Sequence, residues 1–190
     1  MEGAIAMLRH LSFAFAIALG LSALPAAAQE LFGGAYVHGA DTPLSLSTGE
    51  HGLDLQVGYR FAPIDRLSVI GKPSPFLIGS ANTAGGTSFV GAGLSWKIDL
   101  GRARGALYLR RGLGLTINNA PSYRVDRASR YRTDLGSRVL FEPELAIGTR
   151  LTPRLGLEAS WVHVSHAGLL NSEQNPGLDM LGMRLSYALN

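Results

Sequence analysis

Leu53, Leu55, Val57, Tyr59 and Phe61 alternate without a break with Asp54, Gln56, Gly58 and Arg60. A period of two sends one set to each face of a β-strand. An apolar face that ends in two aromatics, backed by a polar face, is the pattern of a strand that crosses a membrane in a barrel. The period returns in Val90, Ala92, Leu94, Trp96 and Ile98, and in Leu107, Leu109, Leu113, Leu115 and Ile117, where Arg111 interrupts the row. It returns again in Val139, Phe141, Leu145 and Ile147 opposite Glu142 and Glu144, in the run from Leu155 to Ser165, and in Leu181, Met183, Leu185, Tyr187 and Leu189. Weaker runs over 31–40 and 76–82 bring the count to eight, an even number as bacterial barrels have.

The chain has no later stretch of about 18 to 20 apolar residues, so no transmembrane helix is expected. Residues 1–28 read as a cleaved signal peptide: Arg9 and His10 precede the apolar core Leu11 to Leu24, and Pro25-Ala26-Ala27-Ala28 supplies small residues for cleavage. An exported chain with no cysteine has no disulfide scaffold and needs a core or a membrane for stability. Glycine makes up 24 of 190 residues, well above the usual share of about 7%, and many glycines fall in strand-like runs, where they permit curvature and close packing inside a small barrel. The expected architecture is all-β: an eight-stranded antiparallel transmembrane β-barrel of the outer membrane over 29–190. A soluble sandwich or lipocalin-like barrel would also alternate, but the second faces here carry Gly, Ser, Glu, Gln and Arg, which suit a narrow polar lumen.

Connection lengths orient the barrel. The segments 99–104 and 151–153 are short, whereas 41–50, 118–136 and 167–177 are long, which places the long set outside the cell. Two segments fit less well: 62–75 is long for a periplasmic turn and 83–86 is short for an outer loop.

Chemistry enters at His163-Val164-Ser165. The row Leu155, Leu157, Ala159, Trp161, His163, Ser165 puts the imidazole and the hydroxyl on the apolar, lipid-facing side of their strand, about 7 Å apart at the backbone and able to meet. A serine hydroxyl becomes a useful nucleophile when a base takes its proton, and the base works best when a carboxylate fixes its tautomer. Asp179 shares the phase of Leu181 and Met183, so it faces the same way on the strand that follows. Glu173 is the other acid close enough in sequence to be considered. His166 lies three residues beyond His163, a spacing that turns the two imidazoles to opposite faces of a strand and argues against a shared metal ion.

The segment His163-Val164-Ser165-His166-Ala167-Gly168-Leu169, with Asn175-Pro176-Gly177-Leu178-Asp179 after it, resembles the lipid A 3-O-deacylase (PagL) family, also called acyloxyacyl hydrolases. The resemblance implies an eight-stranded outer-membrane barrel with an outward Ser-His-acid triad that hydrolyses the ester-linked acyl chain at the 3-position of lipid A. It makes Ser165 the nucleophile, His163 the general base, and the Gly168 amide and Asn175 side chain the oxyanion donors. Asp179 stands where the family has glutamate, one methylene longer, and His166 stands where it has asparagine.

Arg124, Arg127, Arg130 and Arg132, set among Tyr123 and Tyr131 on the long loop 118–136, are candidates for the lipid A phosphates, because guanidinium forks match phosphate oxygens. Asp126 and Asp134 are interleaved with them, as on an ordinary solvated loop. The expected protein is therefore a membrane-embedded serine esterase acting on lipid A or lipopolysaccharide, with no cofactor, no metal and no nucleic-acid partner. Its rivals are an esterase of the same fold acting on phospholipid and a non-catalytic barrel that binds lipid or stabilises the membrane.

Overall fold

The computed structural model describes residues 29–45, 48–101, 107–120, 134–170 and 175–189. The expected signal peptide, the four loop arginines and Glu173 lie outside the described residues. Eight strands follow one another: β1 (Glu30–His38), β2 (Leu53–Arg60), β3 (Ser74–Asn82), β4 (Phe89–Asp99), β5 (Leu107–Asn118), β6 (Val139–Arg150), β7 (Leu155–Val164) and β8 (Leu178–Ala188). Each pairs antiparallel with the next, and β1 pairs with β8 to close the barrel. Closure removes every sheet edge, so within the barrel the backbone polar groups find partners without water.

The outward rows form an apolar belt. Leu55, Val57, Val90, Leu115 and Ile117 are all more than half exposed, a continuous surface far too apolar for a monomer in water and suited to hydrocarbon. No helix among the described residues is long and apolar enough to cross a membrane; the strands do so.

The interior holds the expected polar side chains and, beside them, an apolar core. The half toward the short connections holds an ion network: Arg184 bonds Glu144 at 2.7 Å and also Glu158, Arg110 bonds Glu158 at 2.9 Å, and Arg60 bonds Glu30. Buried charges are tolerated only when paired in this way. Toward the outer end Ile78, Phe89, Leu140, Val162, Val164, Leu178 and Met180 form an apolar core. An eight-stranded barrel is just wide enough for side chains to fill it, and inward aromatics need room opposite. At Gly58 an added Cβ would lie 2.1 Å from the Phe32 ring, so glycine is what lets that ring occupy the axis.

The connections alternate between the two ends of the barrel. The 62–75 segment contains a short 3-10 helix (Asp65–Ile70), which gives its extra length a structure. β8 starts at Leu178, with Asp179 at its head as expected; Leu178, Asp179 and Met180 are all buried before the exposed-buried rhythm sets in.

Candidate active site on the outer wall

β7 and β8 run antiparallel in a register that sets His163 directly opposite Asp179. Directly opposed residues have Cβ atoms about 4.5 to 5.5 Å apart, close enough for an imidazole and a short carboxylate to meet. They do: His163 Nδ1 lies 2.8 Å from Asp179 Oδ1. Both residues keep the phase of the lipid-facing rows, yet His163 is only 7% exposed and Asp179 is fully buried. Something covers them from outside the barrel wall.

The cover has three parts. Trp161, two residues before His163 on the same face, donates its indole N–H to Asp179 Oδ1 at 2.7 Å and stacks on the imidazole with ring centroids 5.9 Å apart. Thr42, on the loop after β1, donates its hydroxyl to Asp179 Oδ2. Gly177, in the left-handed region at φ 68°, passes over the imidazole so closely that an added Cβ would lie 2.8 Å from His163 Cε1. Asp179 thus accepts from His163 and Trp161 on β7 and from Thr42 and Ser45 on the loop after β1, which holds a buried carboxylate in its charged form.

The network also sets the histidine tautomer. Asp179 Oδ1, an ionised acceptor, requires the proton on His163 Nδ1. Nε2 is left with its lone pair directed away from the acid, the form that a general base must have.

Ser165 follows the end of β7. Its backbone is tied to Phe141 by a pair of hydrogen bonds, N–H to O at 3.1 Å and O from N–H at 2.7 Å. That bridge carries the β7 face one step past the strand, so Ser165 stays in phase with His163. The β6–β7 ladder is continuous up to Glu144 and Val162, and the same register sets Pro143 beside His163. Proline brings no N–H, so the ladder opens at the histidine. Among the described residues no direct hydrogen bond joins His163 Nε2 to Ser165 Oγ; such contacts are often long without substrate.

Beyond Ser165 the backbone turns sharply. Ala167 and Gly168 both have positive φ, 52° and 72°, and Leu169 N–H closes the turn onto His166 O at 2.9 Å, the geometry of a type I′ turn. Gly168 is exposed at its tip. Asn175 accepts the His166 backbone N–H on Oδ1 at 3.1 Å, which anchors its carbonyl end and leaves the amide NH2 as its donor end. His166 itself is buried.

Sequence reasoning names Ser165, His163, Asp179, Gly168 and Asn175 and misses Trp161, Thr42 and Gly177. Trp161 reads there as one more apolar residue of a wall strand, and its indole N–H gives no signal until the register is known. Thr42 is 137 residues from Asp179. It is reachable by one inference, that closure makes β1 the neighbour of β8, and the Ala40 N–H bond to Asp179 O at 3.0 Å is that neighbourhood in atomic form.

Comparison with known proteins adds independent findings. The crystal structure of the outer membrane enzyme PagL has a TM-score of 0.56 at 15% identity, covering 83% of this chain and 98% of that one. The crystal structure of Neisserial surface protein A has a TM-score of 0.55 at 12% identity, covering 84% of this chain and 96% of that one. At such identities the likeness is one of fold. No curated protein matches the chain by sequence. The family model described as Lipid A 3-O-deacylase (PagL) matches residues 73–188. That match starts just before β3 and runs to the end of β8, more than half of the chain, and the chain therefore belongs to the lipid A 3-O-deacylase (PagL) family.

Proposed function

We propose that this protein is an outer-membrane serine esterase that removes the ester-linked 3-hydroxyacyl chain from the 3-position of lipid A. One observation carries the reading: a buried His163–Asp179 pair on the lipid-facing side of the wall, one strand step from Ser165, in a member of this family. A charged pair on that face has a steep structural cost, on the order of a few kcal/mol at depth, and an acyl ester in the surrounding leaflet is the substrate that such a position reaches.

In the proposed reaction Ser165 Oγ attacks the ester carbonyl while His163 Nε2 takes its proton, and Asp179 stabilises the imidazolium through Nδ1. The Gly168 amide and the Asn175 NH2 meet the negative charge on the carbonyl oxygen, a contribution of about 100- to 1,000-fold per donor in comparable sites. The tetrahedral adduct collapses, the sugar oxygen leaves with the proton from His163, and water, activated by the same base, releases the fatty acid from Ser165. This chemistry calls for no metal and no cofactor. Arg124, Arg127, Arg130 and Arg132 are proposed to hold the lipid A phosphates while the acyl chain rests against the wall, and residues 1–28 to direct export and be cleaved.

Mass spectrometry of lipid A from cells with and without the protein tests the function. Loss of one 3-hydroxyacyl chain supports it. Altered phospholipid with unchanged lipid A would point to a phospholipid esterase, and no change in either to a non-catalytic barrel. Ser165→Ala should abolish the loss while leaving a folded, heat-modifiable barrel; full activity in that variant would refute the nucleophile assignment.

A further inference from the structure

Two sequence features that the hydrolytic site does not use, the arginine in a lipid-facing row and the over-long periplasmic segment, meet at one place on the barrel. Arg111 points outward from β5 between Leu109 and Leu113, with Trp96 opposite it on β4 and Leu145 opposite it on β6. Its guanidinium lies over the Trp96 ring, 5.4 Å from the centroid. Among the described residues it makes no hydrogen bond or ion pair. Trp96 in turn donates its indole N–H to Ile70 O at 2.7 Å, at the end of the 3-10 helix. That bond fixes the depth: the helix belongs to the periplasmic side, so Trp96 and Arg111 sit at the periplasmic interface. The helix shows Val69 and Ile70 to its surroundings, at 96% and 50% exposure, as a segment lying in the headgroup boundary does.

An exposed arginine among leucines has its least cost where it reaches a headgroup. One face of the guanidinium is taken by the indole, and its edge carries N–H donors in a fork that matches phosphate. We infer that Arg111, Trp96 and the 3-10 helix form a binding site for the phosphate of an anionic phospholipid in the periplasmic leaflet. The site is separate from the proposed active site, which lies at the opposite rim, and does not depend on the hydrolase reading.

Trp96 reports on its own site. The chain has two tryptophans, so a Trp161→Phe background leaves Trp96 as the only indole, and the measurement needs no enzymatic activity. The protein is reconstituted in phosphatidylcholine vesicles containing equal fractions of either dibrominated phosphatidylglycerol or dibrominated phosphatidylcholine, and quenching of Trp96 is compared. The expected preference for phosphatidylglycerol is about fivefold in relative association, the contribution of one arginine beside an anionic surface, and it should shrink in high salt. Arg111→Leu should remove the preference, with Arg111→Gln as the substitute if the leucine variant fails to give a heat-modifiable barrel. Lys72→Ala, which removes a cation next to the helix end and its 2.9 Å pair with Asp65, should keep it. No preference in the parent, or an unchanged preference in Arg111→Leu, overturns the site. Loss in Lys72→Ala alone overturns it too, because the attraction would then belong to the turn's surface charge.

Discussion

Gly177→Ala should slow the proposed hydrolysis about 10- to 100-fold while leaving the barrel folded, and the size of the effect can be worked from the backbone. The new Cβ would stand 2.8 Å from His163 Cε1, where ordinary contact begins at about 3.4 Å, so the ring must retreat by roughly 0.6 Å. A flexible side chain would swing aside at little cost. This imidazole is held by the 2.8 Å bond to Asp179 and by the Trp161 ring, so retreat loosens both. Displacement of a catalytic group by about 1 Å can cost on the order of 100-fold in rate, and a loss of about 10- to 100-fold in kcat with little change in KM is the expectation. Alanine at positive φ also carries its own cost of about 1–2 kcal/mol, which must be separated from the contact. Gly85→Ala provides the control: φ is 81° and nothing lies within 4 Å of its added Cβ. Both variants should lose similar stability in urea unfolding from lipid vesicles, and only Gly177→Ala should lose lipid A deacylation. Equal activity in the two variants would show that the His163 ring is not held where the mechanism needs it.

The Asp179 cage predicts a graded series. Trp161→Phe keeps a ring beside His163 but deletes one charge-assisted donor, a loss of about 1.5–3 kcal/mol, and should lower kcat roughly 10-fold or more in initial-rate assays; Thr42→Val should act in the same direction. Asp179→Asn should be more severe, about 100- to 10,000-fold, because the amide cannot fix the Nδ1–H tautomer or stabilise the imidazolium; a variant as active as the parent would move the acid elsewhere, with Glu173 next to test. In the lumen, Arg184→Met leaves Glu144 and Glu158 without their main partner and should cost about 3–5 kcal/mol in urea unfolding, with little change in kcat per folded molecule.

The barrel is legible in the sequence because its two environments, lipid and lumen, print a period of two on most strands. Where the lumen is filled by Phe76, Ile78, Val162 and Met180 beside its polar side chains, the contrast between faces fades. For the candidate site, phase alone brings His163, Ser165 and Asp179 to one face, since a strand has only two. Register decides which of them touch, and register comes from the pairing of β7 with β8, which no local pattern encodes. Two donors to Asp179 leave no signal in the sequence, for two different reasons. Trp161 performs a polar task with an apolar-looking residue, and Thr42 depends on a contact between the chain's first and last strands.

That last contact has a consequence in time. β1 and β8 become neighbours only when the barrel closes, and until then Thr42 is far from Asp179 and the start of β8 lacks the Ala40 N–H that fixes its backbone. An open, partly inserted sheet therefore carries Ser165 and His163 without a complete acid beside them. On the proposed mechanism, the closing seam would therefore complete the acid's hydrogen bonds only when the wall is finished.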